Sequence, residues 1–204
     1  MSVATERRER QREALILAAE ARLAANGIGG LKARELATDI GVAVGALYNL
    51  VKDLDELVLL VSARTLARLH AVLNEATRAL PPVRTRADAT DRLMAIVLAY
   101  AAFARTDFNL WRSLFEYRPP TVRALSDWAA TEQWQIQQTL ARPLILLMPH
   151  ASVKARELMG LTLFGAVHGV VALAGNGKIV GVPEAQLDGQ LQGLVRLVVA
   201  GMDD

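Results

Sequence analysis

Apolar residues recur along this chain at three- and four-residue intervals while strand-like alternation is scarce, so the pattern predicts an all-α fold of about nine helices. Leu15, Ala19 and Leu23 share one face of a first helix expected over 5–26, and Gly27 follows it as a C-terminal cap. Leu36, Ala37 and Ile40 then share a face of a short second helix. Leu47 with Leu50 or Val51 supplies the facing side of a third, read as 44–51. Between the two stands Gly41, suited to the left-handed backbone that a tight turn between crossed helices needs, and Ala37 is small enough to let them cross closely. Together these features describe a helix-turn-helix.

Past Lys52 the grammar changes. Asp53-x-x-Glu56 has capping-box spacing at the head of a long helix expected over 54–80 and stopped by Pro81-Pro82. Its apolar stripe is mixed, which suits packing within a body rather than a free linker. Further helices are expected over 87–105, 107–117, 122–147, 152–174 and 184–202, with a kink at Pro143. The division that follows is a three-helix head over 1–53 and a six-helix body over 54–204.

Composition narrows the function. The chain has 204 residues, enough for a sizeable core, and no cysteine, which removes disulfides, thiolate metal sites and cysteine nucleophiles and suits a reducing cytoplasm. Its start is charged rather than apolar, so no export signal is expected. A net charge of +2 is too small to mark a nucleic-acid footprint over the whole surface. The local cluster Arg7, Arg8, Arg10 and Arg12 is more informative, because it enters the first helix where it can reach phosphates beside a groove; the alternative is a solvated, frayed helix start.

The segment from Gly27 to Leu57 resembles the N-terminal domain of the TetR family of transcriptional regulators. The residues that carry the resemblance are Gly27, Arg34-Glu35-Leu36-Ala37, Gly41-Val42, Gly45-x-Leu47-Tyr48 and Leu57. It implies a homodimer that binds double-stranded DNA at a near-palindromic operator and is released by a ligand. Of the polar residues only Tyr48 matches a position with a family role, donating its hydroxyl to a phosphate. With the resemblance, the DNA-facing set becomes Arg8, Arg12, Lys32, Arg34, Val44, Gly45, Ala46, Tyr48, Asn49 and Lys52.

Several family positions are altered. Lys32 stands where a Ser or Thr cap is usual, Ala43 and Val44 where Ser and Lys are frequent, Leu54 in place of a phosphate-facing Lys, and Val51 in place of Phe. The recognition helix therefore offers only Tyr48 and Asn49 as polar side chains. Thymine methyl contacts from Val44 or Ala46, close backbone approach at Gly45 and DNA shape are left to supply the rest of the reading.

Enzyme and membrane functions find little support. His70, His150 and His168 are the only histidines and lie far apart, no metal-ligand spacing or nucleophile elbow is present, and the glycines of 27–30 do not follow a strand. No catalytic activity, metal or cofactor is expected. The segment Leu158 to Gly175 is 18 residues without formal charge if His168 is neutral, a borderline membrane length. Thr162 and His168 inside it, the missing aromatic belts and the amphipathic last helix favour a helix buried between its own core and a second subunit.

That reading assigns the dimer to the last two long helices, with Leu163, Val167 and Val170 on one and Leu191, Leu194, Val195 and Val198 on the other, closing a four-helix bundle on a two-fold axis. An ordinary intrachain core face is the alternative for the stripe. Trp111-Arg112-Ser113-Leu114-Phe115-Glu116 with His168-Gly169 is similar to the C-terminal domain of a TetR subgroup carrying this Trp and a late His-Gly pair. An apolar pocket bordered by Tyr100, Phe103, Trp111, Phe115 and His168 is expected to take a small apolar effector, although plain core packing is the commoner fate of such aromatics. The function so read is a cytoplasmic, ligand-responsive repressor; the alternative is a small-molecule-binding helical dimer with weakened DNA recognition.

Overall fold

The computed structural model describes residues 3–117, 127–176 and 181–202. They form α1 (Val3–Asn26), a 3₁₀ turn (Ile28–Gly30), α2 (Ala33–Asp39), α3 (Val44–Leu47), α4 (Leu54–Arg78), α5 (Arg86–Thr106), α6 (Phe108–Glu116), α7 (Asp127–Leu147), α8 (Val153–Asn176) and α9 (Glu184–Ala200). Among the described residues there is no strand, and the fold is all-α. The chain divides into two compact units, one of Met1–Leu66 with Asp107–Ala124 and one of Ala67–Thr106 with Leu125–Asp204. Helix α4 contributes its first half to one and its second half to the other, and α6 is counted with the N-terminal helices.

The first unit is built around α1. Leu15, Ile16, Ala19 and Leu23 form its buried face, and Leu36, Ala37, Leu47, Leu50, Val51, Leu57, Val61 and Leu110 close over it from α2, α3 and the turn after it, α4 and α6. Ala37 is fully enclosed, as the close crossing of α2 and α3 requires. Gly27 and Gly41 have φ of 65° and 67°, the conformations their positions suggested. At Gly41 a Cβ would meet nothing within 4 Å, so backbone conformation rather than space selects glycine there. The turn is closed by Val42 N donating to Ala37 O over 2.9 Å.

Polar contacts fix the same elements. Arg22 on α1 grips Asp39 through Nε and, over 2.9 Å, through a second guanidinium nitrogen, and it also donates to Glu35, so one side chain holds both ends of α2. Arg64 on α4 donates to Glu13 on α1 over 2.6 Å. The capping box at the start of α4 is present with one change of partner: Asp53 accepts from Glu56 N over 2.8 Å, while the Glu56 carboxylate reaches back to the amide of Lys52 over 2.7 Å.

In the second unit α5 lies against α7, α8 and α9. Its buried residues include Leu93, Ile96, Val97, Tyr100 and Phe103. Leu144 and Leu147 of α7, Leu163, Val167 and Val171 of α8, and Leu187, Leu191, Val195 and Val199 of α9 complete that core. The four α9 residues recur every fourth position, one helical face. Arg105 pairs with Asp188 at 2.7 Å and Arg86 donates to Val199 O, tying both ends of α5 to α9. Pro143 lies within α7, and the expected start of that helix at 122–126 falls outside the described residues.

Candidate nucleic-acid interface

The third helix is shorter than the hydrophobic pattern suggests. Regular α geometry stops at Leu47, and Asn49 N and Leu50 N bond to Ala46 O and Leu47 O three residues back. The tightened end has a packing reason: it turns Leu50 and Val51 into the core with Leu47. It also turns the intervening residues outward. Val44 is 40% and Tyr48 48% exposed, while Ala43, Gly45 and Asn49 are exposed and Ala46 is half-buried. A Cβ on Gly45 would meet nothing within 4 Å, so that backbone is open to close approach.

The basic residues proposed for DNA contact are distributed unevenly. Arg8 donates to the main-chain carbonyl of Asn49 over 2.8 Å, bridging α1 to the end of α3. Arg12 faces Glu56 at 3.5 Å and Lys32 faces Glu35 at 3.0 Å. Arg34 and Lys52 are exposed. Three acids of this part of the chain are answered by cations: Glu35 by Lys32 and Arg22, Asp39 by Arg22, Glu56 by Arg12. The carboxyls of Glu35 and Asp39 lie below their ordinary range, the first held down chiefly by its bond to Lys32 and the second by its bond to Arg22. Spacing along the sequence shows the basic residues but not their partners, because Arg8 and Asn49 are brought together only by the packing of α1 on α3.

The five residues expected to border an effector pocket are divided between the two compact units. Trp111 and Phe115 belong to the first, where Trp111 is buried and its ring lies 5.8 Å from Phe108 and 5.7 Å from Phe115. Phe115 itself is exposed. Tyr100, Phe103 and His168 belong to the second. There the Tyr100 hydroxyl lies 2.8 Å from His168 Nδ1, and Phe164, which the sequence pattern did not single out, packs edge-on to Tyr100 at 5.6 Å and against His168 at 5.7 Å. Burial holds the His168 imidazole below its ordinary pKa. His168 is thus a half-buried histidine bonded to a neighbour. A separate open groove of about 490 Å³ is lined by Ala71, Asn74, Thr77, Leu80, Pro82 and Arg92 among others, and contains none of the five.

The dimer set needs correction. Leu163, Val167, Leu191 and Val195 are buried inside the single chain, Val195 with no exposure at all, so they cannot be what faces a partner. The cause is register: α8 packs on α7, α9 and α5, and α9 on α5 and α8, so these faces are covered within the chain and the reverse side of each helix is the one left uncovered. Val170, Leu194 and Val198 are half-buried at the margin. On α8 the uncovered side carries Leu158, Leu161, Gly165 and Leu173; on α9 it carries Gly189 and Leu197, the latter 75% exposed. By length and composition α8 could cross a membrane, with mean hydropathy 1.8 over its most apolar window, of which only 22% is buried.

No family model matches the chain, and no curated protein matches it. Solved structures do. A protein of unknown function from Rhodococcus sp. RHA1 is 21% identical, with a TM-score of 0.74 over 95% of this chain and 96% of the other. A TetR-like transcriptional regulator from the same organism is 19% identical, with a TM-score of 0.60 over 95% and 96%. A TetR transcriptional regulator, also from Rhodococcus sp. RHA1, is 14% identical, with a TM-score of 0.57 over 96% and 98%.

Proposed function

With the fold of TetR-like transcriptional regulators as the starting point, we propose that this chain is a homodimeric, DNA-binding transcriptional regulator of the cytoplasm, a repressor released from a near-palindromic operator by a small apolar effector. The observation that carries the reading is the outward surface of α3. Tyr48, Val44 and Gly45 stand clear of the core that Leu47, Leu50 and Val51 occupy, and Glu35, Asp39 and Glu56 are matched by cations. Such a surface suits a groove flanked by phosphates.

The dimer in this proposal uses the outer sides of α8 and α9, where Leu158, Leu161, Leu173 and Leu197 form an apolar surface of a kind rarely left uncovered on a soluble monomer. Two heads then read two half-sites about 34–36 Å apart or a multiple of that spacing. The effector acts by favouring the arrangement that cannot bind DNA. A hundredfold weakening requires about 2.7 kcal/mol of coupling, and tight binding without that preference shifts nothing. Helix α4, which belongs to both compact units, is the proposed lever.

One observation favours a second reading, a small-molecule-binding dimer whose head has weakened DNA recognition: the α3 surface is largely apolar and Arg8, Arg12 and Lys32 are engaged within the chain. Binding of the purified protein to duplex from its own upstream region, across a salt series, separates the two. Specific binding whose logarithm falls linearly with the logarithm of salt supports the regulator. Equal, weak retention of all duplexes supports the second reading.

A further inference from the structure

The first turn of α3 and the residue before it present no side-chain hydrogen-bonding group outward: Ala43, Val44 and Gly45 have none and are exposed. The polar side chains, Tyr48 and Asn49, come one turn later, and the Asn49 main-chain carbonyl accepts from Arg8 over 2.8 Å. An isopropyl group and a bare glycine backbone turned to the major groove cannot themselves satisfy the acceptors of guanine or adenine or the amino group of cytosine. Burying those edges beneath Val44 would leave them without partners. One base edge in that groove carries an apolar group, the C5-methyl of thymine.

Resting on the DNA-binding reading above, we propose that Val44 is a specificity-determining residue that selects thymine in each operator half-site by packing its isopropyl group on the C5-methyl, with Gly45 permitting the close approach. The surroundings favour a nucleic acid as the occupant of this apolar face over a second protein. Glu35, Asp39 and Glu56 are each paired to a cation, and Arg8, Arg34 and Lys52 outnumber the neighbouring Asp53, so the rim stays net basic. Val44 is exposed rather than structural, so its replacement leaves the packing of Leu47, Leu50 and Val51 in place.

The test begins with duplexes selected by the full-length protein from a random pool at low salt. In the best of them each thymine is replaced in turn by deoxyuridine, which removes only the methyl group. One position per half-site should weaken binding about threefold to fivefold, the scale of one buried methyl group. Cytosine at that position should bind poorly, and 5-methylcytosine should recover part of the loss. In Val44→Ala the deoxyuridine effect at that position should disappear while binding to other positions is unchanged. Specific binding with no sensitivity to deoxyuridine anywhere overturns the thymine assignment and leaves the DNA-binding reading standing. Sensitivity that persists undiminished in Val44→Ala overturns the role of Val44. Failure to retain any duplex at low salt overturns the DNA-binding reading and this assignment with it.

Discussion

The side-chain amide of Asn109 donates to the main-chain carbonyl of Ala24 over 2.7 Å, joining the start of α6 to the last turn of α1. Ala24 is one of the residues whose carbonyl has no partner within its own helix, since α1 ends at Asn26. The amide thus completes a helix end that Gly27 N begins by bonding to Leu23 O over 2.8 Å. Asn109→Ala should destabilise the first unit by about 0.5–1 kcal/mol, as expected for an exposed bond, measured by urea denaturation. An unchanged midpoint would show that water replaces the amide at no cost.

Tyr48 supplies a second prediction. Its ring is half exposed beside Val44 and its hydroxyl is the proposed phosphate donor. Tyr48→Phe should weaken specific DNA binding by about 1 kcal/mol per half-site with little change in sequence preference. Fluorescence anisotropy on the wild-type operator decides it, and an unaltered affinity would remove the hydroxyl from the interface.

Burial distinguishes two charge insertions on α9. Val195 is wholly enclosed within one chain, whereas Leu197 is largely exposed. Val195→Glu should fail to fold, because the carboxylate has no partner in the core. Leu197→Glu should fold normally and shift the protein from dimer to monomer in light scattering. A folded, monodisperse monomer of the unmodified protein at micromolar concentration would defeat the proposed interface.

Acid stability should depend on Arg22. Glu35 and Asp39 have folded pKa values below the ordinary 4.5 and 3.8, held there by Lys32 with Arg22 and by Arg22 respectively. A carboxyl lowered in the folded state contributes stability that is complete above its unfolded pKa and is lost as pH falls through the folded one. The melting temperature should therefore drop more steeply below pH 4.5 in the wild type than in Arg22→Met, whose curve should be lower at neutral pH and flatter in acid. Parallel curves would argue against the clamp.

His168 gives a separate window. Burial lowers its pKa from the ordinary 6.5, so the folded chain favours neutral imidazole, and the stability tied to it is full above pH 6.5 and declines as pH falls through the folded value. His168→Gln should remove that decline between pH 6.5 and the folded pKa. Tyr100→Phe, which deletes the 2.8 Å partner of Nδ1, should cost about 1 kcal/mol at pH 7.5. Thermal melts of both variants across this range measure the two effects separately.

Local chemistry determined most of the helices and the head. Periodicity placed Leu15, Ala19 and Leu23 on one face of α1 and Leu191 and Val195 on one face of α9, because a helix turns 3.6 residues at a time whatever it packs against. Gly27 and Gly41 announced their left-handed conformations because few other residues accept them. The side from which each apolar stripe is covered was not legible. Leu191 and Val195 read as an interface, with a core face as the alternative, and the packing of α9 on α5 and α8 made them core and left Leu197 outside. Tertiary structure likewise decided that Arg8 meets Asn49, that α6 is counted with the N-terminal helices, and that His168 is bonded to Tyr100. These contacts join residues 41 and 68 positions apart, or a helix to distant partners, and local sequence carries no signal for which distant groups the packed helices bring within a hydrogen bond's reach.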